Sequence, residues 1–123
     1  MPEHDIRRIQ KFSEIMHELG VHYMERACMY LAFAVHVQIK EGEAEVNLEY
    51  LYKRVANRHN VSKETVEAEI WKLEREVFER FTGVRALVNP KSKEIVEKYF
   101  CGNEGLIQDP KRFLTCIIKS IKD

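Results

Sequence analysis

The sequence predicts an all-α fold, a compact bundle of about five to six helices that contains a helix-turn-helix. Three observations predict it. Apolar residues recur three and four positions apart through most of the chain, the spacing that lines one face of a helix. The three prolines and five glycines fall between those periodic segments and not within them. Strand-like alternation is confined to the weak candidate Val84–Asn89.

The first helix is expected from about His4 to Leu19, with Ile6, Ile9, Phe12, Met16 and Leu19 as its apolar stripe and Gly20 as its stop. The second, from about Val21 to Lys40, is apolar nearly all round between Ala27 and Val35, which suits the middle of a bundle. Glu41-Gly42-Glu43 closes it. The third spans about Leu48–Arg58 and turns Leu48, Leu51, Tyr52 and Val55 inward. The fourth starts at Ser62, a good N-cap with Glu64 in the first turn, and runs to about Phe81. Its buried face is Val66, Ile70, Leu73 and Val77. A short helix follows from Lys91 to Phe100, then the loop Gly102–Gly105. The last helix opens on Asp109-Pro110, with Asp as cap and Pro at the first position. Phe113, Leu114, Ile117, Ile118 and Ile121 form its apolar side.

At 123 residues the chain makes one domain with a core of its own. Cys28, Cys101 and Cys116 are too few and too irregular for a disulfide framework, and none has zinc spacing. Buried thiols in a reducing compartment are expected, with no metal ligand among His17, His22 and His36. Met16, Met24, Met29, Tyr23 and Tyr30 read as core filling. The polar start, Pro2-Glu3-His4-Asp5, is no signal peptide, and the apolar run Ala27–Val35 is far short of a membrane span. A cytoplasmic protein without membrane contact is expected. No nucleophile–base pair, phosphate loop or paired-carboxylate pocket appears, so neither an enzyme, a cofactor nor a small-molecule substrate is expected.

The stretch Leu48–Phe81 carries the functional signal. Two helices joined by three or four residues make a helix-turn-helix. Ala56 is small where the helices must approach, and Asn60 tolerates the left-handed geometry of the turn. In such a unit the second helix enters the major groove. Ser62, Lys63, Glu64, Glu67, Ala68, Trp71 and Lys72 then face bases, with Glu67 able to accept from a cytosine amino group. Lys53, Arg54, Arg58, His59 and Arg75 are the candidate phosphate contacts. The charge is less favourable. Equal counts of 20 basic and 20 acidic residues leave no net charge, and Lys63–Glu79 holds three basic against six acidic side chains. The segment Arg80–Asp123 is net positive, with nine basic and five acidic residues, so the flanks can hold DNA more than the reading helix does.

These residues resemble a family. Ile15-Met16-His17-Glu18-Leu19-Gly20-Val21, Met29-Tyr30-Leu31, Leu51-Tyr52, Val55-Ala56, His59-Asn60, Val66-Glu67, Ile70, Phe100–Gly102 and the last helix are similar, in order and spacing, to the C-terminal effector domain of the master sporulation response regulator of spore-forming Firmicutes. The similarity covers about Ile15 to Ile121. The resemblance implies a sequence-specific, promoter-binding transcriptional regulator of sporulation, with domains paired as a homodimer on tandem sites of double-stranded DNA. It also implies that Glu67 contacts a base. Ala68 and Trp71 stand where the family carries arginine, Lys72 where it carries histidine, and Thr65 replaces another arginine. No receiver domain is expected ahead of the match.

A second reading stays open beside this one: a diverged helix-turn-helix protein that has lost DNA binding and acts through protein contacts. Trp71 packs on a neighbouring element in the plain reading. In the alternative, Trp71 and Phe78 form an apolar strip on an outer face, an oligomer or partner interface. The glutamates of the fourth helix, Glu74 included, read as a solvated face.

Overall fold

The computed structural model describes residues 3–42, 45–84, 88–100 and 109–122. Among them lie six helices, α1 (Glu3–Leu19), α2 (Arg26–Glu41), α3 (Leu48–His59), α4 (Lys63–Arg80), α5 (Ser92–Phe100) and α6 (Pro110–Lys122), and no strand. The chain is an all-α bundle, as its periodicity predicts. Cys101, the Gly102–Gly105 loop and part of the Val84–Asn89 strand candidate lie outside the described residues.

Sequence chemistry sets most of the helix ends. Gly20 adopts φ +77, and the amides of Gly20 and Val21 return to the carbonyls of His17 (3.0 Å) and Met16 (2.8 Å). That closes α1 with a left-handed glycine. A side chain at Gly20 would also meet Arg80, whose Nη1 donates to the Leu19 carbonyl at 2.5 Å. Asp109 Oδ1 accepts from the Lys111 amide at 3.0 Å, so α6 opens on Asp-Pro as expected. The second helix differs from expectation. It starts at Arg26, because the residues after Gly20 form a turn in which His22 Nδ1 accepts from the Met24 amide at 3.1 Å.

α2 is the axis of the bundle and packs on α3, α4 and α6, burying Cys28, Tyr30, Leu31, Ala34, Val35 and Val37. α6 touches α1, α2, α4 and α5. All five of its expected core residues are buried. The rings of Phe78, Phe100 and Phe113 follow one another, edge-on and then stacked, with each centroid step 5.1 Å.

Several side chains take the opposite place from the expected one. Phe78 is buried, because the Phe100 ring of α5 packs edge-on against it. The outer strip of Trp71 and Phe78 therefore does not exist, and only Trp71 is exposed. Tyr23, Met24 and Met29 lie on the surface, while Met16 and Tyr30 fill the core. Ile6 and Ile9 are exposed because the inward face of α1 is buried only from Ile15 onward, with Phe12 half-buried at its edge. Glu74 is fully buried and leaves the expected solvated face.

Candidate nucleic-acid interface

α3 and α4 are joined by Asn60, Val61 and Ser62. Asn60 sits at φ 55, ψ 47, the left-handed region that asparagine tolerates better than most residues. The Val61 amide returns to the Ala56 carbonyl at 3.1 Å, and Ala56 is itself buried, so the chain reverses over a small side chain. Ser62 Oγ then accepts from the Thr65 amide at 3.1 Å and caps α4. Val66, Ile70, Leu73 and Val77 are buried, which fixes the rotation of α4.

That rotation turns the expected reading face outward. Glu64, Glu67, Ala68, Trp71, Lys72 and Arg75 line one continuous shallow depression along α4. Trp71 keeps 42% of its surface exposed. Ser62 and Lys63 lie at the N-terminal end of the same face.

The cations are arranged differently from the expected clamp. Lys63 is ion-paired with Glu49 at the start of α3. The contact holds the Lys63 ammonium above its ordinary pKa and the Glu49 carboxyl below its own. Arg54 pairs with Glu41 at the end of α2 and bonds the Tyr50 hydroxyl at 2.6 Å; Tyr50 in turn donates to Glu41 at 2.7 Å. The Tyr50 bond first, and then Arg54, hold the Glu41 carboxyl below its usual range. His59 turns inward, with Nε2 buried and its ring 4.9 Å from that of Tyr30 and edge-on to Phe33. Arg58 lies over the Phe33 ring, 5.9 Å from its centroid, and stays exposed, as does Lys53. The outward surface is thus of mixed charge: Glu64 and Glu67 lie toward the start of α4, Lys72 and Arg75 further along it, and Lys53 and Arg58 are exposed on α3.

Glu74 is the group that the sequence reading misassigned. It lies on α4 with Tyr52 of α3 and Asp109 at the start of α6 around it. Burial first, and then the Asp109 charge, push its carboxyl up to about 7, while the Asp109 backbone amide acts in the opposite direction. Neither carboxyl oxygen completes a hydrogen bond of good geometry among the described residues. The signal was available: Glu74 follows Ile70 by four positions and precedes Val77 by three, which is the buried stripe. Among the described residues no three His, Cys, Asp or Glu side chains gather as metal ligands would, and no helix is long and apolar enough to cross a membrane. No family model, curated protein or solved structure matches the chain.

Proposed function

We propose that this chain is a sequence-specific DNA-binding regulator of transcription, acting in the cytoplasm, with α3 and α4 as its helix-turn-helix. One observation carries the reading. The capped α4 presents Glu64, Glu67, Ala68, Trp71, Lys72 and Arg75 as a single outward face behind a short left-handed turn. A helix of that kind fits the major groove. Glu67 accepts from a cytosine amino group, Trp71 supplies apolar contact, and Lys53, Arg58 and Arg75 meet phosphates. Arg54 and Lys63 join only by exchanging Glu41 and Glu49 for phosphate. The likeness to the sporulation effector domain supports the same reading and adds homodimeric binding on tandem sites.

The test is fluorescence anisotropy with a duplex carrying the sporulation regulator's operator box and with a scrambled duplex, at two salt concentrations. Tighter binding to the box is expected. Lys53→Ala and Arg58→Ala weaken both duplexes and each reduce the salt slope by about 1, whereas Glu67→Ala narrows the gap between the duplexes. Unchanged affinity in all three variants sinks the assignment.

The half-exposed Trp71 and the two carboxylate-bound cations favour a second reading, in which the face binds protein and not DNA. Absence of binding to either duplex at low salt, together with a self-association or partner complex that Trp71→Ala weakens, selects it.

A further inference from the structure

Three acidic residues between the end of α2 and the start of α3 each hold a cation on a different helix. Glu41, the last residue of α2, binds Arg54 of α3 and accepts from the Tyr50 hydroxyl at 2.7 Å. Glu45 binds Lys111, in the first turn of α6, at 2.6 Å. Glu49, in the first turn of α3, binds Lys63 at the head of α4. Tyr50 and then Arg54 at Glu41, Lys111 at Glu45 and Lys63 at Glu49 hold the three carboxyls below their usual range. Glu41, Glu45, Tyr50 and Lys111 line one open depression of about 780 Å³, so two of the pairs meet at a single surface. Arg54 stands one turn before the exposed Arg58 on the same side of α3, and Lys63 stands at the end of the α4 face.

Stability does not account for the arrangement. All six side chains are at least 30% exposed, and ion pairs so placed add little to it. Their effect is on charge. Carboxylates four residues apart in one stretch of chain already meet three cations that an outside anion would seek. A carboxylate and a phosphodiester offer a lysine or arginine the same chemistry, two oxygens sharing one negative charge. A free anion gains little from replacing one by the other, because the carboxylate of the same chain is always at hand. A duplex already seated on Arg58 and the α4 face brings its phosphates to these cations at a comparable effective concentration.

We propose that Arg54, Lys63 and Lys111 form a further contact surface for the phosphodiester backbone of duplex DNA, and that Glu41, Glu45 and Glu49 are an autoinhibitory screen over it. This surface rests on the DNA-binding reading of α4 and extends it to α6 through Lys111. With the screen in place, the protein binds DNA less tightly than its cations allow.

The experiment follows the anisotropy of a labelled scrambled duplex at several salt concentrations. It compares the full chain with a screen variant, Glu41→Gln/Glu45→Gln/Glu49→Gln, and with a control, Glu14→Gln/Glu94→Gln/Glu97→Gln. The control removes the same charge from exposed positions of α1 and α5. The screen variant is expected to bind about tenfold or more tighter than the control at low salt, with a salt slope steeper than the parent's by about 3. Adding Lys111→Ala to it takes back about 1 of that slope. Circular dichroism checks that each variant keeps its helix content. A parent that binds while the screen variant is no tighter than the control overturns the inference and leaves the DNA-binding reading standing. Absence of binding by parent and screen variant alike at low salt overturns both. A slope that Lys111→Ala leaves unchanged takes α6 off the surface and overturns the assignment. So does polyglutamate that displaces the duplex from the screen variant at equal charge, which gives the surface to an acidic protein chain.

Discussion

A carboxyl group sealed between helices responds to pH in the opposite sense from a surface acid in an ion pair. Glu74 has a pKa of about 7 in the folded protein, because burial and the nearby Asp109 both oppose its ionisation. In the unfolded chain it titrates near the ordinary glutamate value. Between those values the native state holds a proton that the unfolded state has released, so stability falls as pH rises. The contribution is fully present below the unfolded value and is lost through about pH 7. Its upper limit is about 3 kcal/mol. Glu74→Gln is expected to remove this slope: thermal melts of the variant between about pH 5 and pH 8.5 should be flatter than those of the parent, with the higher Tm at the alkaline end. A parent whose stability rises across that range excludes the buried neutral acid. Helical spacing alone put this residue on the inner stripe. Residue type suggested a solvated face, and geometry overrode it.

Among the elements, α3 and α4 are coupled by more than their turn. The Glu49–Lys63 ion pair spans from the start of one helix to the start of the other, and both groups are solvent-accessible. Exposed pairs of this kind add little to stability. The consequence lies in charge. A lysine at the head of the proposed reading helix is neutralised by a neighbour on the preceding one. Glu49→Gln is expected to leave the melting temperature almost unchanged. It should tighten binding to any duplex and steepen the salt dependence by about one phosphate contact. No change in the slope would show that Lys63 lies off the DNA path. The helices themselves were legible in the sequence, because caps and apolar stripes are local. The start of α2 was not. Val21 to Glu25 has a helix-compatible composition, and it is the hydrogen bond from the Met24 amide to the His22 ring, with Gly20 before it, that holds a turn there. Nor was the partnership of Arg54 with Glu41, two residues that meet only once α2 and α3 pack.

In the whole molecule, α6 closes the bundle. It reaches four of the other five helices described, and Phe113 continues a ring stack through Phe100 to Phe78. Phe113→Ala leaves a void where those helices converge and should cost about 3–5 kcal/mol. A domain of this size has about 5–15 kcal/mol in hand. Urea unfolding should therefore show one cooperative transition at a much lower midpoint. Two separate transitions would instead mean that α5 and α6 form an independent unit. Long-range packing is also where sequence reading stopped. Trp71 and Phe78 are seven positions apart and point to nearly the same side of α4. Helical phase cannot separate them, and only the long-range contact of Phe78 with Phe100 does.

Trp71 is the single tryptophan of the chain, and it stands half in solvent on α4. The molecule consequently has its own optical reporter on one face. Whatever covers that face, nucleic acid or protein, changes the polarity around the indole and so its emission. Occupancy of that face can be followed in one cuvette, without a dye.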